Sequence, residues 1–242
     1  MSNVFTNGGL RNPTCQAWAI GGASQWWLNA DEIPETAIAS SNHHSTLQGV
    51  ARYKCIGEGL QIWQEIAGTI SSSTRTEVTA AAGVLQKPVA PRLGSESENL
   101  VNKADAMNDM PLECERKVLP LPVCPFKAPW PMHNDGDLWV RVWHLIGARG
   151  AQAQVFQWVR GHVTDAMIKS GRFSRANKHG NDMSDQSATH GIESRDTGVL
   201  ALAIWLAERH KKYIKLTARI QMCLVKVRQA ESNVLNKKGD HF

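Results

Sequence analysis

The stretch VFTNGG (residues 4–9) decides how the chain is read. A short β-type run, Val4-Phe5-Thr6, meets Asn7-Gly8-Gly9 within ten residues of the start. Asn and Gly both tolerate positive φ, so the dipeptide predicts a tight turn closing the first strand, with Gly8-Gly9 in the turn. Working outward, AWAIGGAS (17–24) reads as a second strand, its glycines allowing a bulge or a close backbone approach. Residues 25–45 are polar and irregular and read as an insertion, and GVARYKCI (49–56) reads as a third strand of an antiparallel meander.

Further along, SSSTRTEVTAAAGVLQK (71–87) is a helix capped by Ser72, Ser73 or Thr74, with Glu77 in or near its first turn, ended by Pro88 and Pro91. PRLGSES (91–97) is a fourth strand and ENLVNKADAM (98–107) a short helix. Residues 111–131 hold six of the ten prolines, which predicts a linker or extended loop. Residues 135–150 form an amphipathic helix, with Leu138, Val142, Leu145 and Ile146 on its apolar side and Gly150 as its stop. AQVFQWVRGH (153–162) is a strand, 163–180 a polar, basic loop, and 181–191 a helix with Asn181 as its cap. From 197 to 238 apolar residues alternate in steps of three and four (Leu202, Leu206, Tyr213, Leu216, Ile220, Cys223, Val227, Ala230, Val234), interrupted at Arg209. That is coiled-coil spacing, and packing on its own domain, on a second copy or on a partner all remain open. Three antiparallel strands followed by alternating helices and strands predict a mixed sheet with helices packed on it.

The 242 residues suit one domain with a large appendage, or two small domains, and 42% hydrophobic residues can bury a real core. The five cysteines are scattered with no metal-binding spacing, and read as reduced thiols of an intracellular protein. No secretory leader or apolar run long enough to cross a bilayer is evident, which predicts no membrane partner. Charge is uneven: 208–238 carries nine Lys/Arg against two Glu, whereas 1–207 carries 18 basic and 19 acidic residues. A basic C-terminal segment suits nucleic acid or another anionic surface, or is a solvated helix face.

The strings VFTNGG, AWAIGGAS, SSTRTEVTAA, LGSESENLVNKA, QWVRGH and GNDMSDQSA, in this order across residues 3–190, resemble a type 1 ribonuclease H domain. The resemblance implies an α/β fold: a ribonuclease H-like five-stranded mixed sheet flanked by helices, here with a long C-terminal helix. It places a domain at 1–192, with insertions at about 25–48, 108–134 and 163–179, and the spacing read above adds a basic amphipathic helix at 197–238. Members of the family hydrolyse the RNA strand of RNA–DNA hybrids with two Mg²⁺ ions. Two dications about 4 Å apart repel strongly and need a dense set of anionic oxygens. The family supplies Asp, Glu, Asp and Asp from the first strand, first helix, fourth strand and last helix.

Carried over residue by residue, the resemblance puts the helix Glu on Glu77, the final Asp on Asp185, and the loop His, which assists proton transfer or product departure, on His162. The first Asp falls on Asn7 and the fourth-strand Asp on Glu96. Asn7 offers a carbonyl oxygen but no charge, and Glu96 moves its oxygen by roughly 1.5 Å. Mg²⁺ demands near-octahedral geometry, so Mg²⁺-dependent cleavage is expected to be strongly reduced or absent, with Mn²⁺ or Ca²⁺ still able to bind. Taken singly, these residues have plainer readings: Asn7 as a turn residue, Glu77 as a dipole-stabilising residue, Asp185 as a surface helix residue and His162 as a loop residue.

The resemblance also implies that RNA–DNA hybrid, or another duplex, meets Gly8, Gly9, Ser73 and Thr74 on its RNA strand. Arg160, Lys169, Arg172, Arg175 and Lys178 are candidates for phosphate contacts. The Pro-rich segment, with Arg116, Lys117, Lys127 and Trp130, is either a basic substrate handle or a plain linker. Two rival expectations stand beside this one. In the first, an active hydrolase uses Asp182 or another acid to compensate for Asn7. In the second, a non-catalytic interaction module acts through the helix at 197–238, with self-association through 197–238 as one route. A retroelement copy, a stand-alone cellular protein and a piece of a longer chain are equally compatible with the sequence.

Overall fold

The structure is a computed structural model, and it describes residues 1–33, 51–67, 71–117, 122–150 and 153–239. The strands are β1 (Val4–Arg11), β2 (Ile20–Trp27), β3 (Arg52–Ile56), β4 (Gly59–Glu65), β5 (Arg92–Ser95) and β6 (Val155–Trp158). They form one sheet in the order β3-β4-β2-β1-β5-β6. The β3-β4-β2-β1 half is antiparallel, and β5 and β6 continue parallel to β1. The helices are α1 (Ser73–Leu85), α2 (Glu98–Lys117), α3 (Gly136–Arg149), α4 (Asp165–Lys169), α5 (Arg175–Glu193) and α6 (Thr197–Gly239).

Successive residues of a strand face opposite sides of a sheet, and β1 and β2 show what lies on each side. A Cβ added at Gly8 would meet Thr76 of α1, and one at Gly9 would meet Ala188 of α5. Gly21 and Gly22 repeat the alternation, toward Thr76 and Ala188 respectively. α1 and α5 therefore cover opposite faces. On the α1 side the main core gathers Val4, Trp27, Leu60, Val78, Leu85, Leu93, Met107, Trp139 and Ile146, joined by α2 and α3. On the α5 side Phe5 packs with Trp26 and Val159, and Gly180 lets α5 lie on the Phe5 ring.

Several expectations are corrected. The sheet has six strands among the described residues, not five. GLQIWQE is a strand that pairs with β2, and β3 is pushed to the edge by a hairpin at Gly57, which takes positive φ. β1 does not turn at Gly8-Gly9 but runs to Arg11, paired throughout with β2, and positive φ comes at Asn12. Residues 25–27 belong to β2 rather than to an insertion; 34–50 lie outside the described residues.

α2 continues past 107 and through Pro111 to Lys117, because Met107, Pro111 and Cys114 are buried along one side. Of the rest of the Pro-rich segment, Cys124, Phe126 and Trp130 pack back on the core. Trp130 is buried against Phe126, and its indole N–H donates to the Val123 carbonyl. The 163–180 loop is largely helical: α5 starts at Arg175, capped by Ser174, so Asn181 sits inside the helix and not at its cap. Glu77 lies beyond the first turn of α1, which Ser72 caps by accepting from the Arg75 N–H, so a dipole-stabilising role does not explain it.

Candidate functional site

The site follows from a mismatch in strand length. β5 pairs with β1 only through Val4, Phe5 and Thr6 and ends at Ser95, opposite Thr6, while β1 continues. Beyond Thr6 no strand among the described residues pairs with β1 on that side, and the end of β5 leaves a fork at Asn7-Gly8. In sheets with parallel strands such forks at carboxyl ends are where ligands bind.

Both faces send an acid into the fork. From α1, Glu77 is buried, 7% exposed, and accepts from the Gly8 N–H (3.1 Å) and the Ser95 hydroxyl (3.4 Å). The first of these is the backbone donor that a longer β5 would have claimed. From α5, Asp185 accepts from the Asn7 side-chain N–H at 3.4 Å. Glu96, one residue past β5, takes the same face as Asn7 and accepts from Asn181 Nδ2 at 3.3 Å. Its carboxylate lies 1.8 Å from where a Cβ on residue 161 would stand, so Gly161 lets the loop carrying Arg160 and His162 close on it as it is placed here. His162 itself is exposed at φ 52°, a strained conformation for a residue other than glycine.

Burial pushes the Glu77 carboxyl up to about 8; the Gly8 N–H opposes this, and the charges of Glu96 and Asp185 add to it. At neutral pH Glu77 is therefore mostly protonated. Asn7 thus touches Asp185, and Glu77 stands near enough to Glu96 and Asp185 to feel their charges, with Ser95 and Asn181 as holding residues that sequence reasoning missed. Ser95 lies inside GSES and Asn181 inside GND, but their roles depend on through-space contacts.

The donor set does not fit two divalent cations. Asn7 turns an N–H, not an anionic oxygen, toward Asp185, and both Glu77 oxygens are engaged by protein donors. Among the described residues no group of three or more His, Cys, Asp or Glu stands in metal-holding geometry. Asp182, the candidate compensating acid, forms an ion pair with Lys178.

The other candidates divide. Gly8 and Gly9 lie under the two helices, while Ser73 is exposed and Thr74 half-buried at the start of α1. Arg160 is exposed with its guanidinium 5.8 Å from the Phe173 ring centre. Lys169, Arg175, Lys178 and His179, with Asp165, Asp182 and Ile168, line a cavity of about 480 Å³ between α4 and α5. Arg172 lines a smaller cavity beside it with Arg160 and Lys178. Arg116, Lys117 and Lys127 are exposed, whereas Trp130 is a packing residue.

No family model and no curated protein matches the chain. Solved structures do. The foamy viral protease-reverse transcriptase in complex with dsDNA aligns with TM-score 0.40 at 11% identity, covering 80% of this chain and 95% of that one. The foamy viral protease-reverse transcriptase in complex with RNA/DNA hybrid aligns with TM-score 0.41 at 11% identity, covering 80% of this chain and 20% of that one. LC9-RNase H1, a type 1 RNase H with the type 2 active-site motif, aligns with TM-score 0.39 at 14% identity, covering 83% of this chain and 79% of that one. By its own strand order and directions, antiparallel β4-β2-β1 continued by parallel β5 and β6 with helices on both faces, the fold is mixed α/β and ribonuclease H-like.

Proposed function

We propose that the chain is a ribonuclease H-type domain that binds RNA–DNA hybrid or a related duplex, and that its Mg²⁺-dependent cleavage is strongly reduced. One observation carries this reading: at the fork where α1 and α5 bring Glu77 and Asp185 together, the central residue is an amide that hydrogen-bonds to Asp185. An acid there would add the charge that two cations need; the amide removes it and ties down a neighbour. Binding is supported by the cationic edge beside the fork. Arg160, Lys169, Arg172, Arg175 and Lys178 face solvent or open cavities, a pattern suited to the phosphates and 2′-hydroxyls of a shallow minor groove.

The test is a labelled RNA–DNA hybrid incubated with the protein in Mg²⁺ and then Mn²⁺, with binding measured in parallel. Binding with little cleavage in Mg²⁺ is expected, and Asn7→Asp combined with Glu96→Asp raises cleavage by orders of magnitude. Robust Mg²⁺-dependent cleavage by the native chain, abolished by Glu77→Gln, would overturn the reading.

A further inference from the structure

α6 is 43 residues long, and only its beginning belongs to the domain. Ala203 and Ala207 are buried, and with Leu200 they form a short stripe, Ala203 and Leu200 packing with Ile20 and Ile192. From Glu208 to Val234 every residue is exposed. Helices in proteins owe most of their stability to packing of an apolar face rather than to propensity. The free part of α6 nevertheless carries such a face. Tyr213, Leu216, Ile220, Val227 and Val234 are between 52% and 66% exposed, and Cys223 and Ala230 complete the same stripe. Upstream, Arg209 would sit on this stripe, but its guanidinium lies 4.7 Å from the Trp205 ring centre and donates to the Tyr213 hydroxyl at 3.1 Å, so it is held along its own helix.

We infer that two copies of this chain associate through 213–234 of α6 as a parallel, in-register two-stranded coiled coil. Three features select that occupant. First, the stripe follows a heptad with Tyr213, Ile220, Val227 and Val234 at a and Leu216, Cys223 and Ala230 at d. β-branched residues at a, with Leu among the d residues, favour two parallel strands. Second, the flanking g positions are Lys212, Arg219 and Lys226. An antiparallel pair would set g against g, cation against cation. A parallel pair sets g against e five residues on, which here places Thr217, Leu224 and Glu231 beside the three cations. Third, Lys226 then meets Glu231 of the second copy, an attractive pair formed twice by symmetry. The rest of the basic helix surface stays outside the seam, where it remains free for anions.

The full-length protein is weighed by sedimentation across concentration, with thermal melts as a folding control. A concentration-dependent dimer of twice the 26.7 kDa chain mass is expected. Ile220→Asp with Val227→Asp, both at positions exposed in the single chain, weakens the dimer on the order of a hundredfold while leaving the domain's melt unchanged. Lys226→Glu and Glu231→Lys each weaken it on the order of tenfold, and the two together restore it. With Cys55→Ser removing the other exposed thiol, diamide links the two chains through Cys223. A monomer at all concentrations overturns the proposal, as does a charge swap no tighter than its single variants. So does a stripe variant that loses hybrid affinity without any change of mass, since the helix would then serve nucleic acid. These outcomes are independent of whether the fork cleaves.

Discussion

At the scale of single residues, Asn7 and Glu77 set the character of the site, and both carry measurable consequences. Glu77 keeps its proton far above its ordinary value of 4.5, mainly through burial. Its folded pKa lies above its unfolded one, so its stabilising contribution is complete below pH 4.5 and is lost as pH rises through about 8. The melting temperature of the native protein should therefore fall between about pH 5 and pH 9, and Glu77→Gln should flatten that slope, as a pH series of thermal melts will show. Asn7 is 1% exposed. Asn7→Asp deletes the bond to Asp185 and sets a second carboxylate against it. A loss of about 2–3 kcal/mol, roughly 5–10 °C in melting temperature, is expected. Millimolar Mg²⁺ should recover much of it in the variant and leave the native protein unmoved. If Mg²⁺ raises both equally, the amide is not what excludes the cation.

At the scale of elements, two helices press on β1 at the fork from opposite faces of the sheet. Gly8 marks the closest approach: an added Cβ would lie 2.2 Å from Thr76 Oγ1 and 2.7 Å from the Glu77 backbone nitrogen. Gly8→Ala must push α1 outward, so a destabilisation of about 1–3 kcal/mol is expected in urea unfolding, together with loss of hybrid binding at the fork. The same pair of glycines shows where the sequence could be read and where it could not. Asn-Gly-Gly looks like a turn because local statistics register only φ tolerance; the helices that forbid side chains there are distant in sequence. GLQIWQE hides its strand because its first four residues are all buried, so no alternation is visible. The prolines after 110 suggested a loop, but Pro111 sits in a buried helix side whose packing outweighs its lost hydrogen bond. The first turns of α5 are too polar to show a helical period. Glu77, Glu96 and Asp185 could be named because the short strings around them resemble a known family in the order helix, strand end and helix. The partners that hold them, Ser95 and Asn181, act across space and leave no spacing to read.

At the scale of the whole molecule, the charge is divided between a near-neutral body and a basic α6. Duplex binding should weaken steeply with salt. Replacing Lys169, Arg172 and Lys178 with Gln should lower the slope of log affinity against log salt by about one for each phosphate that is no longer neutralised, as titrations at several ionic strengths will show. An unchanged slope would place the duplex elsewhere. No helix among the described residues is long and apolar enough to cross a membrane. The outermost strands complete the picture. β3 is exposed along its whole length and carries Arg52 and Lys54, and β6 at the other margin has only four residues. A sheet grows by adding backbone to its margins, and charged or stunted margins deny a newcomer that template. The folded body should therefore stay dispersed in crowded solution without seeding fibrils, leaving its long helix free to meet other molecules.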